Sequence, residues 1–83
     1  MVEENFPLKD ETHLIIGICM EVHRVLGEGL LEIVYKDAIE YELKKKGISY
    51  VREKEYTIQY KEIILPHKFY ADFVIYNAVI LEV

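Results

Sequence analysis

The sequence lacks the residues that several common kinds of site require. It contains no tryptophan and a single cysteine, Cys19. It has no Cys-x-x-Cys pair, Gly-rich phosphate loop, His-Glu-x-x-His or Gly-x-Ser-x-Gly motif, so zinc-site, nucleotide-hydrolysis and serine-hydrolase functions have no support. One thiol excludes an intrachain disulfide framework and suits a reducing compartment. No apolar run reaches the ~18 residues of a membrane helix. We therefore expect a cytoplasmic protein with no membrane partner.

Positive charge is also scarce. The sequence has 15 acidic residues against 10 lysines and arginines, a net charge of −5, which argues against nonspecific binding to nucleic acid through charge alone. The densest basic stretch, residues 44–46, is typical of a solvated helix C-terminus. Hydrophobic residues nevertheless make up 52% of the 83 residues, which is enough for one small core. We expect a single domain of low stability that self-associates.

The first half of the sequence has the periodicity of two helices. Asp10 is the predicted N-cap of the first helix, and Gly27 and Gly29 end it. Its apolar residues fall on one arc: Leu14, Ile15, Ile18, Cys19, Val22, Val25 and Leu26. The second helix is predicted from about Leu30 to Lys46 and stops at Gly47. Its predicted apolar face comprises Leu30, Leu31, Val34, Tyr35, Ala38, Ile39 and Tyr41, with Lys36, Asp37, Glu40 and Lys44 on the opposite side.

Strand patterns dominate the second half. Residues 50–60 alternate as a half-buried strand, a turn near 60–62 follows, and a short apolar segment ends at Pro66. A final hairpin turns near Asn77. The order of elements predicts one α+β domain spanning residues 1–83, in which two N-terminal helices pack on an antiparallel sheet of three to four strands.

The register of the final hairpin places two acids together. With a three-residue loop at 76–78, Asp72 pairs with Glu82 and the two side chains share a face. A two-residue loop would instead pair Asp72 with Val83 and put the acids on opposite faces. We favour the longer loop, because it gathers an apolar face of Phe73, Ile75, Val79, Leu81 and Val83.

Two opposed carboxylates repel unless a positive charge lies between them. A divalent cation such as Mg²⁺, which takes oxygen ligands, meets that need. The alternative is that Asp72 pairs with a lysine or arginine and Glu82 is exposed to solvent. Glu32 lies at the rim of the apolar arc of the second helix. Its simplest explanation is an ion pair with Lys36, which stabilises a helix by only about 0.2–0.5 kcal/mol.

Residues 29–35, Gly-Leu-Leu-Glu-Ile-Val-Tyr, match the Gly-x-x-Glu-x-x-Tyr signature of the GxxExxY family, a branch of the PD-(D/E)XK nuclease-like superfamily. Residues 20–24 resemble the lead-in helix of that family. Residues 70–73 and 79–83 resemble its two core strands. The resemblance extends from about Glu11 to the last residue, with the segments in the right order.

The resemblance implies a metal-dependent nuclease whose catalytic residues are Glu32, Asp72 and Glu82. Asp72, Glu82 and the backbone carbonyl of Val83 would bind Mg²⁺ or Mn²⁺, with Glu32 acting through a water. His23 would be an extra ligand, although a surface or hydrogen-bonded histidine is the simpler interpretation. DNA is the implied partner.

The superfamily motif places a lysine directly after Val83. We therefore expect residues 1–83 to be a nuclease-like domain that is incomplete at its C-terminus, binds metal weakly and cuts nucleic acid poorly or not at all. Two alternatives stay open. One is a non-catalytic interaction module that forms a homo-oligomer by strand addition at residues 80–83. The other is a nucleic-acid binder that works without cleavage.

Overall fold

The computed structural model describes residues 9–83. Two helices come first, α1 (Lys9–Leu26) and α2 (Glu32–Lys45). Five strands follow: β1 (Tyr50–Tyr56), β2 (Gln59–Tyr60), β3 (Ile63–Ile64), β4 (Phe69–Ile75) and β5 (Val79–Leu81). The predicted α+β architecture is confirmed. None of the helices in the described part of the chain is long and apolar enough to cross a membrane.

The strands form two antiparallel sheets, a three-stranded sheet in the order β1-β4-β5 and a two-stranded sheet of β2 and β3. In the last hairpin Phe73 pairs with Leu81 and Ile75 with Val79. This is the register that the three-residue loop predicts. The turn is possible because Tyr76 and Asn77 take φ angles of 57° and 56°. Continuing the register by one residue places Asp72 opposite Glu82.

The core lies between the helices and one face of the larger sheet. Removal of apolar surface from water is its main stabilisation. α1 contributes Ile15, Ile18 and Val22, and α2 contributes Tyr35, Ile39 and Leu43. The hairpin contributes the apolar face predicted for it, Phe73, Ile75, Val79 and Leu81, with Val83 partly buried beside them. Cys19 is a free, half-buried thiol packed against the same core.

The predicted orientation of α2 is partly wrong. Lys36, predicted on the solvent side, is buried, while Leu31 and Tyr41, predicted on the apolar face, are exposed. The buried stripe runs through Lys36, Ile39 and Leu43, which are spaced three and four residues apart as one helical face requires. This stripe faces the larger sheet. β4 and β5 supply apolar side chains to the core, and Asp72 on β4 forms an ion pair with Lys36.

The structure also corrects two local predictions. Asp10 lies in the first turn of α1 and does not precede the helix. The strand predicted over residues 50–60 ends at Tyr56, and β2 begins a separate small hairpin in which Tyr60 is exposed. Within β1, Glu53 takes a φ of 56°, the left-handed region that a non-glycine residue seldom occupies.

Ion pairs and a hydrogen bond also join α2 to β1. Arg52 on β1 donates to Asp37 Oδ1 at 2.8 Å and to Glu40 Oε1 at 3.0 Å. The Tyr50 hydroxyl donates to the other oxygen of Glu40 at 2.7 Å. These bonds fix the middle of α2 on β1.

Candidate functional site

Asp72 is held from two sides within strand β4. Its Oδ1 lies 2.9 Å from Nζ of Lys36, and its Oδ2 accepts a hydrogen bond from the backbone N–H of Val83 at 2.8 Å. The side chain is only 15% exposed. Burial by itself would raise the pKa of Asp72, but the Val83 N–H and the Lys36 ammonium outweigh it and hold that pKa below its usual value. The carboxylate is therefore fully ionised at neutral pH.

Lys36 is the centre of the cluster. Its Nζ lies 2.9 Å from Asp72, 3.1 Å from Glu53 and 3.6 Å from Glu32. Only 10% of the side chain is exposed. The hydrogen bond to Asp72, helped by the one to Glu53, outweighs burial and raises the pKa of Lys36. The side chain is therefore a permanent cation.

The surroundings of Glu82 disfavour its charged form, in contrast to those of Asp72. Burial, and then the negative charge of Asp72, raise the pKa of Glu82 above its usual value. Each of the two carboxyls shifts the pKa of the other, since Glu82 helps to lower that of Asp72. The two predicted metal-binding carboxyls thus have pKa values shifted in opposite directions, as expected of two acids that share one site.

Glu32 begins α2 and reaches the same ammonium as Asp72. The structure therefore brings Asp72, Glu82 and Glu32 to one region, as predicted, with Lys36 between Asp72 and Glu32. Both simpler contacts that the sequence suggests are also present, since Glu32 pairs with Lys36 within the helix and Asp72 pairs with a lysine.

Tyr35 positions the start of α2. Its hydroxyl donates to the carbonyl of Gly27 at 2.6 Å and accepts from the N–H of Leu30 at 3.2 Å. The hydroxyl therefore ties both ends of the turn between the helices, where Gly29 has a φ of 89°.

His23 stacks on the ring of Tyr35, with centroids 5.0 Å apart and an interplanar angle of 21°. It lines a largely apolar cavity of about 510 Å³ together with Glu82 and Val83. His23 therefore borders the site, at the edge where Glu82 lies.

The donor set suits a hard cation with few protein ligands. Among residues 9–83 no group of three or more His, Cys, Asp and Glu side chains is arranged to hold a metal ion. Asp72 and Glu82 instead form a pair beside the main chain of Val83. Mg²⁺ and Mn²⁺ accept such a pair, because they take oxygen ligands and fill other positions with water or phosphate.

Sequence reasoning missed Lys36 and Glu53. The spacing of residues 32, 36, 39 and 43 places them on one helical stripe, so Lys36 could have been assigned to the buried face. No comparable signal exists for Glu53. Its side chain contacts Lys36, and its backbone takes a left-handed φ in the middle of β1, which strand alternation does not indicate.

The site therefore consists of two carboxyl groups on the β4–β5 hairpin, Asp72 and Glu82, and a third, Glu32, at the start of α2. The sequence matches the PD-(D/E)XK nuclease superfamily over residues 9–83. The chain therefore belongs to that superfamily, whose members bind nucleic acid and generally use divalent metals. Comparison with curated proteins and with solved structures found no match.

Proposed function

We propose that this domain is a metal-dependent nuclease-like domain of the GxxExxY branch, built for phosphodiester hydrolysis in DNA. The observation that carries the proposal is the pairing of Asp72 with Glu82, with pKa values shifted in opposite directions and Glu32 near the same cluster. Acids with such shifts in one cluster are typical of functional sites. We place the protein in the cytoplasm because its one cysteine is a free thiol.

Asp72 and Glu82 would hold Mg²⁺ or Mn²⁺, with the Val83 carbonyl as a third ligand. Glu32 would act through a water, and His23 would be an additional ligand at the cavity edge. When bound, the ion supplies Lewis-acid activation of a phosphate oxygen. Of the protein's own residues, Lys36 and the Val83 N–H keep Asp72 ionised and oriented.

The charge of the site sets the order of binding. Asp72, Glu32 and Glu53 surround a single ammonium, that of Lys36, and Glu82 adds a further carboxyl beside Asp72. A phosphodiester carries negative charge and is repelled by this surplus of carboxylates. We therefore expect the cation to bind before the nucleic acid.

Cleavage by the 83-residue chain should be weak or absent. Lys36 is the one lysine in the described cluster, and its raised pKa keeps the nitrogen protonated. A protonated amine stabilises negative charge but cannot take a proton from water. A robust, Asp72-dependent nuclease rate would contradict this part of the proposal.

The test of the metal site is a thermal unfolding experiment with Mn²⁺. Mn²⁺ should raise the Tm of the wild-type protein and should not raise that of Asp72→Asn or Glu82→Gln, because a ligand stabilises only the state that binds it. Asp37→Asn is the matched control, since Asp37 pairs with Arg52 outside the cluster. An equal rise in Tm for Asp72→Asn, or none in the wild type, would rule out the proposed site.

A second candidate function is favoured by one observation. β5 is an edge strand of the larger sheet in the described part of the chain, and an open edge can accept a strand from a second copy. A non-catalytic module of this kind would form a homo-oligomer through residues 80–83. A tight dimer in light scattering, with no effect of Mn²⁺ on Tm, would favour it over the nuclease-like function.

A further inference from the structure

The two oxygens of Asp72 have different partners. Oδ2 accepts from the backbone N–H of Val83, a bond fixed by the hairpin. Oδ1 is bound to the ammonium of Lys36 at 2.9 Å. The oxygen that is not committed to the main chain is therefore the one that Lys36 holds.

We propose that Lys36 is an internal competitor of the divalent metal, occupying Asp72 Oδ1 until the metal displaces it. This inference rests on the proposed metal site and adds the residue that sets its affinity. Lys36 would be a positioning residue, because it keeps the carboxylates assembled without metal and opposes metal binding.

The fold provides a place for the displaced ammonium. β1 and β5 lie on opposite sides of β4, so Glu53 approaches the cluster from the β1 side and Glu82 follows the strand on the other side. Lys36 already contacts Glu53 at 3.1 Å and Glu32 at 3.6 Å. It can leave Asp72 and keep both of these partners.

Two cations cannot share Asp72 Oδ1 without strong repulsion. The cluster is shielded from solvent, with Lys36 and Asp72 only 10% and 15% exposed, and like charges a few ångströms apart are poorly screened in such surroundings. Loss of the ammonium should therefore strengthen metal binding. The same loss should weaken the metal-free fold, because it leaves the carboxylates facing one another.

The test is titration of Mn²⁺ by isothermal calorimetry into four proteins: wild type, Lys36→Met, Lys36→Arg and Lys68→Met. Lys36→Met should lower the Kd by roughly tenfold or more, the effect of removing one neighbouring charge from a partly buried site. Lys36→Arg, which keeps the charge, should bind like the wild type. Lys68→Met is the matched control, because Lys68 pairs with Glu55 away from the cluster.

A second measurement follows Lys36 in the wild-type protein and does not depend on the folding of a variant. The side-chain amine resonance of Lys36 should broaden on addition of Mg²⁺, because a released ammonium exchanges its protons with water faster. The Lys68 resonance should not change.

The outcomes separate this inference from the proposed function. If Mn²⁺ binds with Asp72-dependent affinity but Lys36→Met leaves the Kd unchanged or raises it, the competition is wrong and the metal site stands. If the metal binds but the Lys36 resonance does not change, the competition is likewise wrong and the metal site stands. If Mn²⁺ binds to neither the wild type nor Lys36→Met, the proposed metal site fails and this inference fails with it.

Discussion

At the scale of single residues, Glu82 lies in surroundings that disfavour its charged form. Burial and the negative charge of Asp72 raise its pKa in the folded state. Folding is then penalised at pH values above this raised pKa, and the penalty disappears below the ordinary pKa of 4.5, where the carboxyl is protonated in both the folded and the unfolded state.

Glu82→Gln should therefore stabilise the metal-free protein at neutral pH. The urea midpoint of the variant should exceed that of the wild type there, and the difference should shrink as the pH falls through the raised pKa of Glu82. Glu62→Gln, at an exposed position in the turn between β2 and β3, should show no such difference. A lower urea midpoint for Glu82→Gln at neutral pH would contradict the shift.

The sequence was sufficient to predict Asp72 and Glu82 as neighbours, since strand alternation and loop length depend on nearby residues. Glu32 was placed with them only through the family resemblance. Lys36 was not predicted, because a lysine is assigned to solvent unless its partners are known. Those partners lie on β1 and β4, far along the chain. Pairing across distant elements is the information that a local pattern does not contain.

At the scale of elements, the turn between α1 and α2 depends on the Tyr35 hydroxyl. Tyr35→Phe removes both of its hydrogen bonds and should lower the free energy of unfolding by about 1–2 kcal/mol. Tyr41→Phe on the same helix is the control and should have almost no effect, because Tyr41 is 62% exposed. Urea unfolding measures both, and equal effects would mean that the hydroxyl does not hold the turn.

Alanine substitutions at two glycines should have opposite effects on stability. Gly29 has a φ of 89°, so Gly29→Ala should cost about 1–2 kcal/mol of stability, the penalty of a left-handed alanine. Gly17 lies within α1 with nothing near its Cβ position, so Gly17→Ala should stabilise by about 0.5–1 kcal/mol. Thermal unfolding of the two variants checks this. A Gly29→Ala protein as stable as the wild type would refute the strained turn.

The helices and strands were predicted from the sequence with different accuracy. The β4–β5 register followed from sequence, because a slip by one residue would turn the apolar face to solvent. The turn at 60–62 and the short segment after it were also predicted. The break between β1 and β2 was not, since Tyr60, Ile63 and Ile64 are apolar yet exposed and so resemble a continuous half-buried strand. The face of α2 was only partly predicted, because its buried stripe includes a charged residue.

At the scale of the whole molecule, net charge governs contact with nucleic acid. With a charge of −5, the protein should not bind duplex DNA in EDTA at about 0.15 M salt, where non-specific affinity depends on cationic side chains. Mg²⁺ should induce binding in the wild type and not in Asp72→Asn. Fluorescence anisotropy of a labelled duplex measures both.

Metal-independent binding would contradict this prediction. If the protein bound DNA in EDTA with steep salt dependence, and Asp72→Asn bound equally well, the domain would be a nucleic-acid binder that works through lysine and arginine alone.

The adjacent opposite charges on β1 have a further consequence for assembly of the fold. Arg52 meets the acids of α2, and Glu53, the next residue, meets Lys36. Sliding the strand by one position in one direction would set Arg52 against Lys36. Sliding it in the other direction would set Glu53 against Asp37 and Glu40, so that either slip would create a repulsive contact. This pair of residues therefore discriminates between alternative alignments of β1 under α2, and it does so in a sheet whose exposed strand faces offer little hydrophobic guidance.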